Sequence, residues 1–226
     1  MKKINFVFKN ASKQTRIMGI VALGLAALAI LMLIVGTCSA IYGPLADVPV
    51  VELLGEAVPE LDLDNLDDYV DEIKDAIEEE DDDLLDEIED ELGMSADEFL
   101  DYLDPLSLNS MKVMTDKMAD FFDADNTFGI VISAVIGFIS GYAILLGLFV
   151  ALSALFMNKG WFIASAVISP LFFFAFVGFF WFFVFLGLCI AYSILVSKVH
   201  NEYIIYNHNN TQSAPEAPVA AEDSAV

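Results

Sequence analysis

Cysteine, histidine and positive charge are scarce in this sequence. Only two cysteines occur, Cys38 and Cys189, and both fall inside apolar stretches, so no disulfide framework staples the fold. The two histidines, His200 and His208, sit eight apart in an Asn- and Tyr-rich stretch with no cysteine nearby, which is not a zinc pattern. Neither has a plausible Ser or Cys nucleophile in its sequence context, and no pair of catalytic groups lies at a membrane interface in a recognisable pattern. Lys and Arg number ten against thirty-four Asp and Glu, for a net charge of −24. That balance repels nucleic-acid phosphates and argues against DNA or RNA as a partner. The long apolar runs hold no Asp, Glu, Lys, Arg or His. Proton relays and ion pathways ordinarily use such groups within the membrane, so a stand-alone pump or transporter is disfavoured.

What the chain does have is segregation. Apolar residues make up 57% of it and charged residues 19%, with a mean hydropathy of +0.63. High hydropathy and high net charge coexist because they occupy different blocks, which argues for membrane and soluble parts over one globular core. The expected fold class is an all-α membrane protein with four transmembrane helices (three in the alternative) and a short-helix acidic extracytoplasmic segment between the first and second.

Residues 1–16 form a basic arm with Lys2, Lys3, Lys9, Lys13 and Arg16. The first spanning helix covers 17–42, and its span proper 17–41. Cys38-Ser39-Ala40 looks somewhat like a cleavage site, and Val35 to Cys38 is a poor lipoprotein box. The apolar stretch exceeds the roughly 7–15 residues of a signal-peptide core, which favours an uncleaved signal anchor.

The acidic segment covers 43–127 and holds thirty of the acids, from Asp47 to Asp125. Pro44, Pro49 and Pro59 favour an extended entry. Helical spacing then appears in Leu66, Tyr69, Val70, Ile73 and Ile77, and again in Leu84, Leu85, Ile88 and Leu92, with Gly93 as a stop. Ser95 to Glu98 reads as a capping box for a short helix carrying Phe99, Leu100 and Leu103 and ended by Pro105. A fourth amphipathic stretch runs through Met111, Met114, Met118, Phe121 and Phe122.

Residues 128–197 hold the remaining spans. The first lies at 128–156. The 37 uncharged residues from Trp161 to Ser197 would make one helix of about 55 Å, nearly twice a hydrocarbon core of about 30 Å. Two helices at 161–179 and 181–197, turning near Gly178, fit better. In the three-span alternative a single long helix begins at Pro170 with Ser169 as its cap. Trp161 and Trp181 are expected as interface anchors. Lys159 and Lys198 join the basic arm in placing both termini in the cytoplasm under the positive-inside rule. Residues 198–226 form a cytoplasmic juxtamembrane stretch and a tail expected to be disordered from Asn207. The expected location is a plasma membrane of the bacterial inner-membrane kind. No repeat of 20–50 residues is present.

Three constellations are candidates for function. The run Glu78, Glu79, Glu80, Asp81, Asp82 and Asp83 is a weak candidate for a divalent cation and a candidate dock for a basic protein; a merely solvating charge run is the plain reading. Asp123-Ala124-Asp125-Asn126 opens like a calcium loop, but Phe128 stands where glycine is required. Ser133, Gly137 and Gly141, and out of phase Gly147 and Ala151, form small-residue ridges suited to helix packing, within the bundle in preference to a second copy. The C-terminal Ser224-Ala225-Val226 and the triplets at Asn10 and Asn209 carry little weight. No cofactor is expected. The expected role is non-enzymatic: a subunit of a membrane assembly, in contact with the lipid bilayer, that presents the acidic segment to a partner. A channel-like or transport-associated subunit with a cation-attracting mouth is the alternative.

Overall fold

The computed structural model describes residues 2–50, 75, 95–103, 106–121 and 127–212. Every element among them is helical, with no strand. Three helices are long and apolar enough to cross a membrane: α2 (Lys13–Tyr42), α5 (Thr127–Phe156) and α8 (Phe179–Gln212). Around them lie α1 (Lys2–Lys9), α3 (Ala96–Leu103), α4 (Leu108–Phe121), α6 (Lys159–Ile168) and α7 (Pro170–Phe172), which runs on as a π-helical turn over Phe173–Val177. The capping-box helix and the fourth amphipathic stretch correspond to α3 and α4. The first two helices expected in the acidic segment lie, apart from Asp75, outside the described residues.

Ser12 starts α2. Its hydroxyl accepts the Thr15 N–H, one of the donors that a helix start leaves unsatisfied. From there α2 buries a line of small residues: Gly19, Ala22, Ala26, Ala29, Gly36 and Ala40, with Leu33 among them. The steps alternate between three and four, which keeps them on one face. A Cβ added to Gly36 would come within 3.1 Å of Val177, and one added to Gly19 within 2.5 Å of Val7. Small residues there let neighbouring elements approach α2 closely. α2 packs against both α8 and α5, and α6 closes the ring by packing between α5 and α8.

The turn from α5 to α6 is a Schellman-type cap. The Met157 N–H donates to the Ala154 carbonyl and the Asn158 N–H to that of Ser153, and Met157 takes a left-handed φ of 46° where glycine is usual. Asn158 then caps α6 by accepting the Gly160 N–H. Tyr192 from α8 donates to the Ser153 carbonyl at 2.6 Å, tying the turn to the bundle.

The segment from α6 to Val177 bends by 41°. Pro170 has no N–H for the carbonyl of Ala166 four residues back. The Ser169 hydroxyl donates to that carbonyl instead. Tyr142 of α5 donates to the neighbouring Ile168 carbonyl at 2.6 Å. Backbone groups freed at a break inside a packed bundle require this kind of satisfaction. The chain breaks again at Gly178, whose φ of 115° suits a residue without a side chain, so no single long helix begins at Pro170. Phe162 of α6 meets Phe185 and Tyr192 of α8, and Phe173, beside Phe172, meets Phe185; all five are fully buried, with ring centroids 5.0–5.7 Å apart where they adjoin.

Two regions differ from the sequence expectation. The basic arm is not merely an arm: α1 buries Phe6 and Val7, and Phe6 packs against Tyr203 and Tyr206 at 5.4 and 5.1 Å. α8 also continues past Asn207, to Gln212.

Replacing Gly36 with Leu is expected to lower stability by about 1–3 kcal/mol through overpacking. Gly137→Ala, where no described atom lies within 4 Å of an added Cβ, should stay within about 0.5 kcal/mol. Thermal unfolding of the purified full chain in detergent compares the two.

Candidate functional site

The two ends of the bundle differ in charge. At one end α1 meets the α5–α6 turn and the far part of α8. The Lys3 ammonium donates to the Met157 carbonyl at 3.4 Å, and Lys159 donates to the Ser197 hydroxyl at 3.2 Å. Lys9, Lys13 and Arg16 flank the start of α2, and Lys198 follows Ser197. A polar recess of about 400 Å³ lies here between Lys3, Asn158, Lys159, Ser197, His200 and Asn201. Partial burial first, and then the charges of Lys3 and Lys159, hold the His200 imidazole below its ordinary pKa, so it is neutral near pH 7.

Glu202 is the only acid from Thr127 to Gln212. Its carboxylate accepts the Ser12 N–H at 2.8 Å and the Ser12 hydroxyl at 3.0 Å, together with the Thr15 hydroxyl. A carboxylate at the start of α2 also faces the positive end of its dipole. The Thr15 hydrogen bond, then those from Ser12, hold this carboxyl below its ordinary pKa. The clasp joins α2 to α8 at the basic end.

The other end carries α3 and α4. The Leu45 N–H donates to the Leu106 carbonyl at 2.7 Å, and α4 packs on α5 and α2. Ser107 and Ser110 bond reciprocally at the start of α4, Ser110 N–H to Ser107 Oγ and Ser107 N–H to Ser110 Oγ. Lys112 pairs with Asp116 at 2.5 Å, and the Lys117 ammonium lies 5.8 Å from the Tyr102 ring centre.

The residues singled out in the sequence fall in different places. Glu78, Glu79, Glu80, Asp81, Asp82 and Asp83 lie outside the described residues, as do Asp123 to Asn126 of the calcium-like loop. Among the described residues no three His, Cys, Asp or Glu are grouped to hold a metal ion. Ser133 and Ala151 are half-buried on α5. Gly137, Gly141 and Gly147 have no described atom within 4 Å of an added Cβ. Trp161 opens α6 beside Lys159, partly exposed, with its ring 5.5 Å from Phe149. Trp181 lies at the opposite end, beside Val35, Gly36 and Ser39. The Glu202 clasp was missed by sequence reasoning, although a lone carboxylate among the bases was a visible signal.

The chain matches no family model, no curated protein and no solved structure. The geometry therefore carries the functional reading alone.

Glu202→Gln is expected to cost about 1 kcal/mol, modest because the group is partly open to solvent. A depressed carboxyl stabilises the fold above its unfolded pKa, which lies near 4. That contribution is lost as the pH falls through the lower folded value. Wild-type melting temperature should thus fall more steeply below about pH 4 than that of the Gln variant.

Proposed function

We propose that this chain is a non-enzymatic, four-span protein of a plasma membrane, of the bacterial inner-membrane kind, with both termini in the cytoplasm. It presents its acidic segment on the opposite side to a basic partner, as a subunit of a larger assembly. The observation that carries the reading is the division of charge between the bundle ends. Seven of the ten basic residues, Lys2, Lys3, Lys9, Lys13, Arg16, Lys159 and Lys198, belong to the end where Glu202 meets Ser12. The acidic stretch enters and leaves at the other end, after α2 and before α5.

Two further observations favour four spans. Going along the bent segment, Ser165 bonds to Leu146, Ile168 to Tyr142, and Phe176 packs 6.2 Å from Phe138. The segment thus runs antiparallel to α5, from Lys159 at the basic end to Val177, which touches Gly36 near the end of α2. Its positive charge also fits: a cytoplasmic Lys159 and Lys198 require a crossing both before and after Gly178. Trp161 and Trp181 then fall at opposite interfaces as anchors. The buried ring cluster fills the space between α6, α7 and α8, which weighs against a pore between those helices.

Reporters fused after residues 100, 159, 180 and 210 test the topology. The expected pattern is 100 and 180 outside, 159 and 210 inside; residue 210 outside would sink the four-span reading. For the partner, the full chain in nanodiscs should capture a lysine-rich polypeptide and release it as salt rises from 0.05 to about 0.5 M, where the screening length shrinks to a few ångströms. Neutralising Glu78 to Asp83 with Gln and Asn should weaken capture. Binding that ignores both salt and these substitutions would overturn the partner claim.

A further inference from the structure

An open groove of about 660 Å³ runs between α6 and α8 on the outside of the bundle. Its walls are apolar: Ile163 and Val167 from α6, and Leu186, Ile190 and Ile194 from α8. Val167, Ile190 and Ile194 are more than half exposed. One end is different. There the groove is closed by Lys159, Ser197 and Lys198, and two of these, Lys159 and Ser197, also line the recess that holds Lys3, His200 and Asn201. The groove and the recess thus adjoin at Lys159 and Ser197, and the groove is apolar along its length and cationic at its head.

The dimensions are those of one lipid leaflet. Leu186 to Ser197 is eleven residues along α8, about 16 Å, close to half of a hydrocarbon core of about 30 Å. The charges sit where a headgroup would lie if the apolar walls face acyl chains. The head also has uncommitted donor capacity. An ammonium carries three donors, and Lys159 uses one on Ser197. Basic recesses between membrane helices are suited to anionic headgroups.

We propose that this groove binds one anionic phospholipid, with its phosphate between Lys159 and Lys198 and an acyl chain along the α6–α8 seam. The site requires that the bundle lie in a bilayer. It requires neither a partner for the acidic segment nor a given number of spans. The shared chemistry at the head is a phosphate, which a lipid or free phosphate could supply; the apolar groove selects the lipid.

The test is native mass spectrometry of the purified full chain with phosphatidylglycerol, phosphatidylcholine of the same chains, and inorganic phosphate. Phosphatidylglycerol is expected to be retained about tenfold more strongly than phosphatidylcholine, and inorganic phosphate not to displace it. Lys159→Gln and Lys198→Gln should each weaken retention about fivefold, the effect of one charge near an anionic lipid surface. Lys159→Arg should retain most of it. Val167→Trp, which fills the groove from an exposed position, should remove retention while helix content by circular dichroism stays unchanged. Equal retention of the two lipids by the wild-type chain overturns the proposal, whatever the variants do. So does phosphatidylglycerol binding that survives the two Gln substitutions combined. Inorganic phosphate that binds as tightly as the lipid and ignores Val167→Trp would make the head a free-phosphate site and remove the lipid.

Discussion

The close approach that small residues permit along one face of α2 is the constraint on which the rest of the bundle depends. In a bilayer, apolar surface gains nothing by leaving lipid for protein, so helices associate through fit and polar bonds. Gly19, Ala22, Ala26, Ala29, Gly36 and Ala40 provide that fit. α2 thereby becomes the helix against which both α5 and α8 pack. The places where Val7 and Val177 come down onto Gly19 and Gly36 set where α1 and the end of the bent segment sit.

Once the helices are close, a few polar groups hold their register. Tyr142, Tyr192, Ser165 and Ser169 all donate to backbone carbonyls. Each such bond is worth about 1 kcal/mol or less in a membrane protein. Their value here is positional. Two of them reach the carbonyls around Pro170, and Tyr192 reaches the α5–α6 turn, so the irregular backbone is bonded where it departs from a regular helix. The aromatic cluster then fills the space left between α6, α7 and α8.

Much of the helix layout was legible in the sequence because charge and length carry it. The uncharged runs located α2 and α5, and the excess length after Trp161 demanded a break that occurs at Gly178. Ser95 and Pro105 bracketed α3. The rest was hidden for physical reasons. The α2 face could not be read from polarity, since all sides of that helix are apolar and only side-chain size differs between them. α1 is two turns long, too short for periodicity to stand out, and depends on Tyr203 and Tyr206 from the far end of the chain. The groove between α6 and α8 joins residues as far as 38 positions apart in sequence, so Lys159 and Ser197 had no reason to be read together.

The length of α8 has a mechanical consequence. Its 34 residues make a rod of about 51 Å, of which a hydrocarbon core takes up about 30 Å. Roughly 20 Å is left to stand clear of the bilayer's oily interior. Glu202 sits partway along this mast and grips the first turn of α2, while Phe6 braces it from the side. A tug on the last turn at Gln212 is thus a torque about that grip, delivered to the root of the helix around which the bundle is assembled.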